Sequence, residues 1–364
     1  MRQPSLFDEP AEPSFESRLI SAEDAGNFVP LSELDPAAGT PHYTGIARMA
    51  AAAPDLDFRN EVQYRDLACR TLLSPCDSRR VPFDYTINPY RGCEFGCVYC
   101  YARYTHEYME FEDWLDFERK IFVKRGARGA LQADLRRLDL QGKWIAIGTG
   151  TDPYQPAERR YGLTRSLLEV LAGRRNLLLS ITTKSDLVAR DVDLLERIAQ
   201  HSELHVNITI TTPHHELSRR TEPRAPRPDK RLAAVKTLAD AGIRVGVLAM
   251  PLLPRINDKL EDLDLLVRLV SEAGADFLAS QVLFLRKCSR ARFFPFLEER
   301  FPDLLPYYRR LYATNQTEAL TVYTREKSAQ IQLLKRKYGL SGGRRGKPHV
   351  AFTPDQMRLF AGLD

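Results

Sequence analysis

From Asp84 onward the apolar residues follow two alternating rhythms. Short runs rich in Val, Ile, Leu and Thr occur at FDYTINPY (83–90), WIAIGTGTD (144–152), NLLLSITTK (176–184), ELHVNITITT (203–212), RVGVLAMPLLP (244–254) and DFLASQVLFL (276–285). These read as six strands. Between them, apolar residues recur every three or four positions near 127–140, 163–173, 189–200, 229–241 and 259–273, the period of amphipathic helices. Strands each followed by a helix imply parallel pairing with right-handed crossovers. The fold class is therefore α/β, and a doubly wound sheet and a barrel both satisfy the pattern. On the fourth run Asn207, Thr209 and Thr211 share one face and Val206, Ile208 and Ile210 the other. The polar face is predicted to line a cavity and the apolar face to pack on helices.

Outside this region the rhythm fades. Residues 1–40 are rich in Pro, Ala, Ser and acids and are expected to form a disordered acidic tail. Residues 41–80 read as a lead-in of short helix and loop. The core is assigned to 81–290 and a helical extension to 291–340, with two or three helices over 296–338. A loose basic tail covers 341–364, punctuated by Gly342, Gly343 and Gly346.

Composition narrows the class. The 364 residues carry a net charge of +5, yet residues 1–40 sum to −6, so the remainder carries +11. From Arg325 to Lys347 there are eight basic residues against Glu326 alone, a stretch that suits either a polyanion or a solvated helix face. No apolar run approaches the ~18 residues of a membrane span, and the N-terminus lacks a signal-peptide layout, so a cytoplasmic location is expected. Three of six cysteines, Cys93, Cys97 and Cys100, fall within eight positions, while Cys69, Cys76 and Cys288 are scattered. That clustering points to metal rather than to a disulfide framework.

The cluster lies in NPYRGCEFGCVYCYAR (88–103), after the first predicted strand. The C-terminal ends of parallel strands are where α/β folds carry active sites. Gly92 and Gly96 let the backbone wrap closely round a metal group. Three thiolates suit three irons of a cubane 4Fe-4S cluster and leave the fourth open. The competing reading is a structural zinc ion, whose fourth ligand would have to be Cys69, Cys76 or His106.

The spacing Cys-x3-Cys-x2-Cys, with Tyr99 before the third cysteine, resembles the signature of the radical S-adenosylmethionine (SAM) superfamily. Residues ~80–290 resemble its core, and the likeness is nearest to proteins similar to spore photoproduct lyase, often labelled DNA repair photolyases. The segments that carry it are NPYRGCEFGCVYCYAR, GTGTDPYQPAER, TTKSDLVARD, RRTEPRAPRPDKRLAAVKTLADAG and MPLLPRIND. The resemblance implies a partial (β/α)6 TIM-like barrel. It also implies a 4Fe-4S cluster on Cys93, Cys97 and Cys100, SAM on the open iron, a flavodoxin- or ferredoxin-type electron donor, and a 5′-deoxyadenosyl radical that abstracts hydrogen from a substrate.

Site residues follow from that implication. Tyr99 would lie near the adenine. Thr149, Gly150, Thr151 and Asp152, ending strand two, resemble the superfamily's glycine-rich segment near the SAM amino group. Lys184, ending strand three, would pair with the SAM carboxylate. Thr209 would contact ribose or carboxylate. Spore photoproduct lyases place a hydrogen-donor cysteine at the end of strand two, where this chain has Thr149. A threonine O–H is too strong a bond to quench a carbon radical, so spore photoproduct reversal is not expected. Tyr154 and Cys288 are the remaining candidates for a hydrogen relay, against plainer roles as a packed aromatic and a small buried hydrophobe.

The leading functional expectation is radical SAM chemistry, lyase-like or transferase, on DNA or another nucleic acid. The alternatives are the same chemistry on a peptide or small metabolite, and a non-catalytic zinc or iron-sulfur scaffold. Both tails carry Gln-x-x-Leu-Phe, as Gln3 to Phe7 and Gln356 to Phe360. This resembles the peptide by which repair proteins dock on a bacterial DNA sliding clamp, Leu and Phe filling an apolar pocket.

Overall fold

The computed structural model describes residues 43–78, 81–314 and 317–340. The two tail motifs, Gln3 to Phe7 and Gln356 to Phe360, lie outside these residues. Six strands form the heart of the fold: β4 (Tyr85–Ile87), β7 (Trp144–Ile147), β8 (Leu178–Thr183), β9 (Glu203–Thr209), β10 (Arg244–Leu252) and β11 (Phe277–Val282). They pair in parallel in the order β11-β10-β9-β8-β7-β4, and β3 (Ser74–Pro75) adds antiparallel to the outer edge of β4. Chain order and spatial order coincide, so each connection returns over the same face through a helix. The sheet is an open, partial TIM-like barrel whose edges are β11 and β3.

The six sequence-predicted strands are all present, each trimmed at its C-terminal end where the run continues into a loop. The reason they are legible is burial. Ile145, Ile147, Leu179, Ile181, Val206, Ile208, Val245 and Val247 are each at most 2% exposed. They pack with Leu131, Leu167, Leu171, Leu194, Leu195 and Leu266 from the surrounding helices. Each such side chain contributes roughly 1.5–3 kcal/mol on burial. The helices fall at α3 (Ala127–Arg137), α5 (Leu163–Ala172), α6 (Val192–Ala199), α8 (Pro228–Asp240) and α9 (Leu260–Glu272), close to the expected positions. Earlier in the chain are α1 (Gly45–Ala51) and α2 (Asp116–Arg119), and α4 is Pro156–Tyr161.

The lead-in departs from expectation. Besides α1 it contains a hairpin, β1 (Asp55–Arg59) and β2 (Val62–Asp66), closed by Asn60 and Glu61, both at positive φ. Two left-handed residues in a two-residue loop match the twist of a hairpin. These strands join β6 (Lys120–Val123) and β5 (Tyr90–Arg91) in a second sheet of order β1-β2-β6-β5. The second sheet sets the cysteine loop. The chain leaves β4, crosses Asn88 and Pro89, pairs as β5 with β6, and only then turns through Cys93, Cys97 and Cys100.

Helix α7 (His215–Thr221) was not expected. The extension is helical as predicted, with α10 (Lys287–Arg300), α11 (Leu305–Leu311) and α12 (Glu318–Lys337). It is anchored to the barrel through Tyr308, which donates to the Pro254 carbonyl at 2.8 Å, and Tyr312, which donates to the Leu283 carbonyl at 2.8 Å.

Candidate active site

A cavity of about 380 Å³ occupies the barrel. Cys93, Cys97 and Cys100 line it together with Tyr99, Thr149, Thr151, Asp152, Lys184 and Thr209. Of the proposed cofactor residues only Gly150 is off the lining. Its N–H donates to Asn88 Oδ1 at 2.8 Å, while Asn88 Nδ2 donates to Thr149 Oγ1 at 3.1 Å. Asn88 thus shapes the loop after β7 from the end of β4.

Two glycines permit the cysteine loop. Gly92 has φ +80°, and a Cβ there would stand 2.8 Å from the Phe117 carbonyl oxygen. Gly96 has φ +65°, and a Cβ would stand 2.5 Å from Glu118 Oε2. Neither position accepts a side chain. Glu118 receives the buried Arg103 guanidinium at 2.6 Å, and Arg103 also donates to the Cys97 carbonyl at 2.9 Å. From the barrel side, Thr151 Oγ1 and Gln155 Nε2 both donate to the Gly92 carbonyl, at 2.5 and 3.0 Å.

The segment after α7 closes the loop from a third direction. Val98 N donates to the Thr221 carbonyl at 3.0 Å and Arg224 N to the Phe95 carbonyl at 3.2 Å. The Tyr99 hydroxyl donates to Glu222, whose other oxygen pairs with Arg231 at 2.5 Å. Thr211 donates to the same carboxylate at 3.1 Å, so it faces Glu222 rather than the cavity, unlike Thr209. Burial raises the Glu222 pKa, but Arg231 and Lys184 outweigh it and keep the carboxyl below its ordinary range. Glu222 and Arg231 were missed as functional residues, although RRTEPRAPRPDKRL carried the family likeness. An acid set between threonine and proline in an arginine-rich segment was the available signal.

Lys184 brings a cation to the cavity. Its ammonium stands 5.7 Å from the Tyr99 ring centroid and makes no hydrogen bond among the described residues. Burial disfavours its charge, but Cys97, Glu222, Cys100 and Asp152 more than offset this and raise its pKa. Asp152 positions it. One Asp152 oxygen accepts from Thr183 Oγ1 at 2.6 Å and Tyr154 N at 2.9 Å, the other from Lys184 N at 2.7 Å. The Thr209 hydroxyl is 4% exposed, lines the cavity and likewise makes no hydrogen bond among the described residues.

Two relay candidates lie elsewhere. Tyr154 is 1% exposed, off the cavity lining, with its hydroxyl beside Asp191. Cys288 begins α10 and donates to the Tyr101 carbonyl at 3.6 Å, while Ser289 donates to the Cys100 carbonyl at 3.1 Å. Both ties hold the end of the cysteine loop, and Cys288 does not line the cavity.

The donor set fits an iron-sulfur cubane. The three thiols line the same cavity, and burial foremost, then Asp152, Cys97 and Cys100, push up the Cys93 pKa. Burial, foremost, drives Cys97 up to about 12, so a free thiol there keeps its proton until a metal displaces it. Among the described residues no three His, Cys, Asp or Glu side chains converge as they would round one ion. A cubane instead spreads three thiolates over three irons. Nor do Cys69, Cys76 or His106 line the cavity. His106 sits among Phe111, Phe117 and Phe122 with Nε2 on the Lys120 carbonyl at 3.0 Å.

Among the described residues, no helix is long and apolar enough to cross a membrane. A family model for the radical SAM superfamily matches residues 87–267. An uncharacterized protein of Mycobacterium tuberculosis is 34% identical over 320 residues, covering 87% of this chain and 92% of that one. An uncharacterized protein of Methanocaldococcus jannaschii is 34% identical over 185 residues, covering 50% of this chain and 66% of that one. Among solved structures, a spore photoproduct lyase variant with bound AdoMet and dinucleoside spore photoproduct superposes with a TM-score of 0.53 at 17% identity, over 83% of this chain and 85% of that one. That likeness is one of fold. The radical SAM model spans the strands and helices of the barrel from β4 to α9, and the chain belongs to the radical SAM superfamily of enzymes.

Proposed function

We propose that the protein holds a 4Fe-4S cluster on Cys93, Cys97 and Cys100, binds SAM in the barrel cavity, and acts on a nucleic-acid substrate. The observation that carries the cofactor reading is one cavity lined by three thiols and by an ammonium, Lys184, that makes no hydrogen bond among the described residues. When bound, cluster and SAM supply an electron and, from it, a 5′-deoxyadenosyl radical that takes a hydrogen atom from substrate. The protein's own residues do the rest. Lys184 offers its charge to the SAM carboxylate and Asp152 fixes the backbone that carries it. Thr209 offers a hydroxyl to ribose or carboxylate. Tyr99, held by Glu222, presents a fixed ring face. Phe83, Phe95, Phe117 and Phe277 make the remaining wall apolar and exclude water.

The nucleic-acid reading rests on the +11 balance of residues 41–364 and on partly exposed aromatics, Phe83, Tyr101, Tyr104 and Trp144, along the cavity. Base faces stack on such rings. The same chemistry on a peptide or metabolite is the competing substrate class, and the family requires a reductant in either case. The test is anaerobic incubation of the reduced protein with SAM and candidate nucleic acids, followed by mass spectrometry. Formation of 5′-deoxyadenosine together with a modified nucleotide is expected, and Cys97→Ala abolishes both. A Cys97→Ala protein that still makes 5′-deoxyadenosine at the normal rate would sink the cofactor reading.

A further inference from the structure

Beside the cavity lie two cations that the cofactor chemistry leaves unused. Arg91 ends β5 and Lys124 follows β6, and the antiparallel register, Tyr90 opposite Val123 and Arg91 opposite Phe122, puts Arg91 and Lys124 on one face of the second sheet as diagonal neighbours. Both are partly exposed. Lys124 Nζ donates to the Asn88 carbonyl at 2.8 Å, which leaves two N–H donors. Arg91 Nε is buried without an acceptor. Among the described residues the titratable neighbours of the pair are each other, Cys69, Tyr104 and His106, and none is a carboxylate. Burial, then Arg91, lowers the Lys124 pKa to about 8. Two adjacent cations in a partly dry site are destabilising unless an anion joins them.

Tyr104 connects this pair to the cavity. It lies within electrostatic reach of Arg91, lines the cavity, and carries the Arg286 guanidinium 4.3 Å from its ring centroid. An arginine fork, a lysine point charge and a phenol beside them suit a tetrahedral oxyanion with several acceptor oxygens. An aromatic face next to the charge suits the sugar and base attached to it.

We propose that Arg91 and Lys124 form a phosphate subsite at the cavity rim, which seats a backbone phosphodiester of the substrate strand while the adjoining nucleotide passes Tyr104 into the barrel. This rests on the nucleic-acid reading above. It assigns that reading a register, because one phosphate is fixed beside the cysteine loop and the reacting nucleotide is its neighbour.

The test measures binding of a fluorescein-labelled single-stranded oligonucleotide to the anaerobically reconstituted holoenzyme by anisotropy across a salt series. Lys124→Gln is the principal variant because it lies outside the cysteine loop, and its cluster absorbance reports an intact fold. Wild type is expected to bind with a steep salt dependence. Lys124→Gln should weaken binding by roughly 5- to 20-fold and lower the slope of log K against log salt by about one. Lys124→Arg should restore both, and inorganic pyrophosphate should compete better against wild type than against Lys124→Gln. Equal affinity and slope in wild type and Lys124→Gln, both with full cluster absorbance, overturn the subsite and leave the nucleic-acid reading standing. An absence of oligonucleotide binding by wild type at low salt overturns both.

Discussion

Two sets of buried polar residues flank the cysteine loop, and they are built in opposite ways. Behind the loop, Glu158 accepts from Tyr90 Oη at 2.6 Å, Thr164 N at 2.8 Å, Arg165 N at 3.1 Å and Arg190 at 2.8 Å. Glu94 accepts from Tyr64 Oη at 2.9 Å and Ala157 N at 2.7 Å. In front of the loop, Lys184 and Thr209 have donors that nothing among the described residues uses. Saturation marks scaffold, since every oxygen there already has a partner. Unused capacity in a lined cavity marks a surface made for something else. The two sets are interleaved in sequence. GTGTDPYQPAER contributes Thr151 and Asp152 to the cavity lining and Gln155 and Glu158 to the scaffold.

The sharpest break of this contrast is Glu158→Ala. It strands the Tyr90 hydroxyl and the Thr164 and Arg165 backbone donors, leaves Arg190 with Asp191 alone, and should cost about 3–5 kcal/mol, read as a large fall in the thermal midpoint. If the midpoint barely moves, saturation is not a mark of scaffold. Lys184→Ala should leave the midpoint and cluster absorbance unchanged and weaken SAM affinity by about 1–3 kcal/mol in a titration. Unchanged SAM affinity would count decisively against its role.

A third test uses pH. Burial, foremost, holds the His106 pKa near 3, against an ordinary 6.5, so the folded state keeps the ring neutral where the unfolded state protonates it. The stability His106 provides is complete above pH 6.5 and is lost as pH falls toward 3. Near pH 5 the loss reaches about 2 kcal/mol. Chemical denaturation at pH 7 and pH 5 should show it, and His106→Gln should flatten the difference. The smallest effect is expected at the discarded relay positions. Tyr154→Phe and Cys288→Ala should each shift stability by about 1 kcal/mol or less and leave the yield of 5′-deoxyadenosine intact. A selective loss of product in either would return that residue to the chemistry.

The strands were legible because helices cover the outer face of the sheet and fix an apolar residue at every second position, as at Val206, Ile208 and Ile210. The cysteines were legible by spacing. What could not be read were features decided between distant segments. The hairpin at 55–66 alternates, but Phe58 is 68% exposed and acids and arginines interrupt it, so its apolar face looks thin in one dimension. Strand β5 has two residues and exists only because β6 pairs with it. Glu222 meets Tyr99 across 123 positions, and no local pattern announces that contact. Thr211 was grouped with Thr209 by alternation alone. The strand ends at Thr209, and beyond it the backbone turns Thr211 toward Glu222.

The two kinds of tie on the cysteine loop differ in when they become available to a growing chain. Pairing of β5 with β6 closes a modest loop and can form once Val123 has emerged. The bonds from Val98 to Thr221 and from Arg224 to Phe95 wait until β7, β8 and β9 have been synthesised. At ordinary elongation rates that interval is roughly 5 to 20 seconds. Throughout it the turn through Cys93, Cys97 and Cys100 is outlined but lacks the ties to Thr221 and Arg224. Slow codons between β6 and α7 would lengthen that interval.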